Sequence, residues 1–196
     1  ILEVARVLHK YRARLNRGLW ACFWSGHETG TMPASSWLVD HFWDELQVHC
    51  LAYFNVDSPG MKGTERYTLY VSPELADFTS AVAKEVLNEK PDLLKVSRVG
   101  DQSFFGIGIP SLSARTMFSA EEVRRMANAN LGWWNHGYPC HDTLDKVDPG
   151  MMAKNMRAVA ATVYEICSRP VLPIIFLPVA DEMVGLGSGL AMQYSI

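Results

Sequence analysis

Ile1, Val4, Ala5, Leu8 and Tyr11 recur at helical spacing with Lys10, Arg12 and Arg14 toward the other face, which predicts an opening amphipathic helix. Asn16-Arg17-Gly18 stops it, and the nearly continuous apolar run Leu19 to Trp24, ending at Ser25-Gly26, reads as a buried strand. From Pro33 a second helix follows with Trp37, Leu38, His41, Phe42 and Leu46 on one face, then a second apolar run from Cys50 to Val56 stopped by Asp57-Ser58-Pro59-Gly60. Residues 63–71 carry no clear period and read as a short extended piece. Ser72-Pro73-Glu74 supplies an N-cap, a first-turn proline and a favourable negative charge for a helix reaching about Asn88. Phe104 to Leu112 is a third apolar run, and Ser119 to Glu122 fits a capping box. Asp148-Pro149 caps a last long helix whose stripe is Met152, Met156, Val159, Val163 and Ile166.

Strands alternating with helices predict an α/β fold in three layers, a mixed, mostly parallel sheet with helices on both faces. At 196 residues and 48% apolar content the chain can form one core, so a single domain over residues 1–196 is expected. It opens inside a helix with Ile rather than Met, which reads as an N-terminal truncation. The 18 basic and 21 acidic residues leave a formal charge of -3, which argues against a nucleic-acid partner held by charge. No apolar run reaches the roughly 18 residues of a membrane span. Cys22, Cys50, Cys140 and Cys167 form no C-x-x-C pair, so neither a zinc ribbon nor a dense disulfide framework is expected.

Ligands of parallel sheets gather at the carboxyl ends of strands. The residues to read are therefore Gly26-His27-Glu28 after the first run, Asp57 after the second, and Asp101 before the third. Gly106-Ile107-Gly108 lacks the third glycine of a dinucleotide loop, and neither a P-loop nor H-E-x-x-H occurs. If the two runs are neighbouring strands, Glu28 and Asp57 project into one crevice, where two carboxylates repel unless a cation lies between them. Hard oxygen ligands with an imidazole from the loop holding His136 and His141 suit zinc or a similar divalent ion. The plainer alternative is a pair of solvated or helix-capping loop carboxylates. His9, His41 and His49 have structural explanations on helices or at a strand start, and Cys140 beside His141 reads as a partly buried thiol.

The segments Trp24-Ser25-Gly26-His27-Glu28-Thr29-Gly30, Asn55-Val56-Asp57-Ser58-Pro59-Gly60, Gly100-Asp101-Gln102-Ser103-Phe104 with Gly108-Ile109-Pro110-Ser111, and Asp142-Thr143-Leu144-Asp145-Lys146-Val147-Asp148-Pro149 resemble, in order, the motifs of the co-catalytic zinc aminopeptidase family. This metallopeptidase family includes bacterial leucyl aminopeptidases and relatives of glutamate carboxypeptidase, and its members are often secreted or periplasmic. The resemblance, over roughly residues 1 to 168, implies a zinc-dependent exopeptidase with two zinc ions at the carboxyl edge of the sheet and a peptide or amino-acid derivative as substrate. It implies Glu28 and Asp57 as ligands and a histidine before the D-T-x-D-K segment. His136 is the favoured match, assuming a two-residue insertion, and His141 the alternative. The resemblance also implies that the Asp101 loop borders the substrate pocket, and Trp133 and Trp134 are expected to line an apolar pocket or to pack in the core.

Two departures carry consequences. The family's general base, the first acid of its Glu-Glu pair, is His27 in this chain; an imidazole accepts a proton near neutral pH but brings less negative charge. The family's upstream His and bridging Asp have no counterpart in these residues, which implies weak or single-site metal binding by the isolated chain. A catalytically inactive binding or interaction domain is therefore the alternative reading, and a metal-dependent cyclisation or other amide reaction a third.

Overall fold

The protein is described by a computed structural model covering residues 1–26, 32–96, 103–128 (without the side chains of 126–128) and 143–174. Helix α1 (Leu2–Lys10) is followed by a 3₁₀ turn at Arg12–Arg14, then α2 (Pro33–His41) and α3 (Trp43–His49). Strands β1 (Tyr53–Val56) and β2 (Arg66–Val71) lead to α4 (Pro73–Leu87) and β3 (Asp92–Lys95). The short α5 (Ser103–Gly106), β4 (Ser111–Met117), α6 (Ala120–Asn128), a 3₁₀ turn at Leu144–Lys146 and α7 (Pro149–Ser168) complete the described elements.

The described strands form one sheet in the order β1-β4-β2-β3. β1 runs parallel to β4 and β2 parallel to β3, while the central β2–β4 pair is antiparallel. The expected α/β, mostly parallel mixed sheet is thus found. Side chains alternate between its two faces. On one face Leu69, Val71, Leu112 and Ala114, with Phe54 and Val56 beside them, pack against Leu75, Ala83 and Leu87 of α4 and Ala158 and Val159 of α7. On the other, Tyr53 joins Val39, Leu46, Phe104 and Ile109 from α2, α3, α5 and the turn after it. Each large apolar side chain so buried stabilises the fold by about 1.5–3 kcal/mol.

The predicted helix signals operate locally. Asp148 accepts the Met151 N–H at 3.0 Å and starts α7, a cap worth about 1 kcal/mol. Ser119 accepts the Glu122 N–H at 3.1 Å ahead of α6. Ser72 precedes α4 but turns its hydroxyl to the Ser111 N–H at 3.0 Å, tying the helix start to β4 instead of capping it. Arg17 reaches back to the carboxyl end of α7, donating to the Ile166 carbonyl at 2.9 Å, which holds α1 and its loop to that helix.

Three expectations are corrected. Leu19–Trp24 is not a buried strand: it pairs with none of the described strands, and Trp20 and Phe23 are exposed. A strand exists only through hydrogen bonds to a neighbour. This segment instead faces the β1 edge across a groove of about 1020 Å³. The helix from Pro33 breaks at Phe42, so Val39 and Leu46 are buried while Trp37 stacks outside on His41 at 4.7 Å. The Phe104 to Leu112 run divides between α5 and the start of β4. The short extended piece expected within residues 63–71 is found as β2, which holds the central strand pairing, with Leu69 1% exposed.

Candidate functional site

Asp57 lies immediately past the carboxyl end of β1, where its N–H continues the parallel ladder to the Ala114 carbonyl at 3.0 Å. Strand alternation puts its side chain on the face that carries Asn55, Ser113 and Arg115. Its Oδ2 accepts from Arg115 Nη2 in an ion pair, and its Oδ1 accepts the Ser58 hydroxyl at 2.9 Å. Arg115 is the more enclosed partner, its side chain 18% exposed against 32% for Asp57. Its guanidinium also lies 5.5 Å from the centroid of the Tyr70 ring, a cation–π contact from β2. Arg115 Nε is buried with no hydrogen-bond partner among the described residues.

The loop that presents Asp57 is fixed from three sides. The Ser58 carbonyl accepts from the Thr116 N–H at 3.2 Å and its hydroxyl at 2.8 Å. The Pro59 carbonyl accepts from Asn155 Nδ2 of α7 at 2.8 Å, and the Gly60 carbonyl from the Asp148 N–H at 2.9 Å. Met61 and Val147 form an antiparallel bridge, and the Lys62 N–H donates to the Lys146 carbonyl at 2.8 Å. Two segments singled out in the sequence, Asn55–Gly60 and the described part of Asp142–Pro149, therefore lie side by side. Within the second, Lys146 Nζ at 2.7 Å and the Thr143 hydroxyl hold the Asp145 carboxyl down to about 2.

This makes the acid behaviour of the segment checkable. A carboxyl whose folded pKa is depressed adds stability above its unfolded pKa, and loses it as pH falls through the folded value. The Asp145 contribution is thus complete above about pH 4 and fades toward pH 2. An NMR titration of its carboxyl carbon should have its midpoint near 2; a midpoint at the ordinary aspartate value of about 3.9 contradicts these contacts.

His27, Glu28, Asp101, Trp133, Trp134, His136 and His141 lie outside the described residues. Two contacts anchor the described residues nearest to positions 27 and 101. Trp24 Nε1 donates to the Tyr53 hydroxyl at 2.9 Å, joining the chain just before residue 27 to β1. Ser103, just after Asp101, shares hydroxyl hydrogen bonds with Ser35 at 3.0 Å and Ser36 at 3.1 Å at the start of α2. Among the described residues no three His, Cys, Asp or Glu side chains form a metal-holding group. Burial pushes the Cys22, Cys50 and Cys167 thiols up, away from nucleophilic thiolate character. No helix among the described residues is long and apolar enough to cross a membrane.

Asp57 suits a hard divalent cation: it is an oxygen donor, with about four lone-pair directions of which two are taken. Arg115 is the residue that sequence reasoning missed. Its signal, a lone cation in the strand Ser111–Met117, gains meaning only once Val56 is registered against Ala114.

A family model described as Peptidase family M28 matches residues 1–163. Comparison with curated proteins gives no match. Among solved structures, the chain is similar to BSAP, a zinc aminopeptidase from Bacillus subtilis, at 18% identity and a TM-score of 0.55, over 72% of this chain and 34% of that one. The chain thus spans about a third of that neighbour, and the likeness carries the α/β fold.

Proposed function

Because this chain belongs to peptidase family M28, we propose that it contributes the sheet-edge ligands of a zinc-dependent, aminopeptidase-like exopeptidase acting on peptides or amino-acid derivatives. The observation that carries the reading is Asp57 at the carboxyl end of β1, on a loop locked against residues 143–149. Asp57 and Glu28 would hold zinc, with His136 or, alternatively, His141 as the imidazole ligand and two ions in the complete centre. Zinc bound there supplies Lewis-acid polarisation of the scissile carbonyl and lowers the pKa of a water to about 7. His27 would serve as the general base, accepting a proton from the water where the family has a carboxylate. Asp101 borders the substrate, and Trp133 and Trp134 receive an apolar side chain. The test is hydrolysis of amino-acid anilides by the full-length protein with added zinc. Activity should vanish with a chelator and return with zinc, and activity untouched by Glu28→Ala or Asp57→Ala defeats the mechanism.

A second reading, a catalytically silent binding domain, is favoured by one observation: the Asp57 carboxylate is ion-paired with Arg115. It loses if His27→Ala abolishes turnover while the thermal melt stays that of the parent chain.

A further inference from the structure

Arg115 and Asp57 stand on adjacent parallel strands one step past paired positions, so the backbone itself sets guanidinium against carboxylate. A mostly buried guanidinium is costly without a compensating anion, and Asp57 is the carboxylate that pairs with it among the described residues. A divalent cation on the same carboxylate would lie within a few ångströms of that guanidinium, and one negative charge cannot neutralise both. The Tyr70 ring, already 5.5 Å from the guanidinium carbon, offers a second resting place for the cation when the carboxylate is given up.

We propose that Arg115 is a built-in counter-ion of Asp57 that a divalent cation must displace, so that guanidinium and metal compete for one carboxylate. This rests on the reading of Asp57 as a ligand. Arg115 thereby sets metal affinity without being a ligand, and keeps the strand edge neutralised whenever no metal is held. The competition is one of charge. Glutamine at 115, which can still donate to Asp57, relieves it; lysine, which keeps the cation, retains it.

The experiment is a zinc titration of the chain and of Arg115→Gln, Arg115→Lys and Asp57→Asn, followed by calorimetry and by the rise in melting temperature with zinc. Melts in chelator verify that each variant folds. Because it removes a like charge a few ångströms from the metal, Arg115→Gln should bind zinc on the order of tenfold tighter and show a larger zinc-induced rise in melting temperature, while Arg115→Lys keeps the parent affinity. If Asp57→Asn weakens zinc binding but Arg115→Gln binds zinc equally or less tightly, the competition is overturned and Asp57 remains a ligand. If Asp57→Asn leaves zinc binding untouched, the ligand reading fails and takes the competition with it. Should Arg115→Gln not fold, Arg115→Met carries the same expectation, because it also removes the charge.

Discussion

Asparagine at position 57 is expected to weaken zinc binding about 100-fold, roughly one ligand's share of the ~10–16 kcal/mol with which four-ligand zinc sites hold their metal. The same change should also destabilise the metal-free chain. Asp57→Asn leaves the Arg115 guanidinium, largely enclosed between the strand edge and Tyr70, without its anion. Losing one partner of a fully buried pair costs about 3–5 kcal/mol. The partial exposure of both side chains brings the expectation down to about 2 kcal/mol. The two effects separate experimentally: a zinc titration reads the first, and urea unfolding in chelator reads the second. Unchanged zinc affinity together with an unchanged urea midpoint would contradict both the ligand and the ion pair.

Alanine at position 60 is the other change with a large expected effect, and it acts without altering any charge. A Cβ on Gly60 would lie 2.5 Å from the Cβ of Met152, 2.9 Å from its Cα and 3.1 Å from its N. The obstruction is mostly backbone at the first turn of α7, so no side-chain rotation relieves it. Neither strand of the contact can simply retreat, because the Asp148 N–H is bonded to the Gly60 carbonyl and Asn155 to the Pro59 carbonyl. Overpacking of this kind costs about 1–3 kcal/mol, and the hydrogen bonds strained with it about 1 kcal/mol more. A loss of about 3 kcal/mol is expected, read as a lower urea midpoint at unchanged slope. Since the displaced loop is the one that aims Asp57, zinc affinity should fall as well. A stability within about 0.5 kcal/mol of the parent, the range of an ordinary surface substitution, would show that the loop and α7 are not tightly locked.

The parts of the fold legible in the sequence are those decided by neighbours along the chain. Asp148-Pro149, Ser72-Pro73 and Ser119 each mark a helix start within a few residues, and the stripe Met152 to Ile166 follows from helical period alone. Asp57 was legible too, because an apolar run stopped by Asp-Ser-Pro-Gly announces the carboxyl end of a strand. What escaped depends on distant partners. Leu19–Trp24 is apolar enough for a strand but pairs with none of the described strands. Asp92–Lys95 has no apolar alternation to announce it and becomes β3 only by lying beside β2. Trp37 sits at a helical position that looks internal until the helix breaks at Phe42 and turns it outward. Arg115 is the sharpest case, since nothing within its own strand connects it to a residue 58 positions earlier. Only the register of two parallel strands does so.

The fold also explains why a single carboxylate can matter. The loop after β1 is held by β4, by α7 and by residues 146–148 at once, so Asp57 is presented on a scaffold that cannot drift by much. A site built on such an element holds its ligand geometry without reorganisation when a cation arrives. The cost of binding then falls mainly on the exchange with Arg115.

The most direct measurement is anomalous diffraction at the zinc edge from crystals of the chain grown with zinc. A peak is expected about 2.0–2.2 Å from a carboxylate oxygen of Asp57, with an oxygen of Glu28 on the same ion and the Arg115 guanidinium drawn off toward Tyr70. Zinc bound elsewhere, with Arg115 still seated on Asp57, would contradict it.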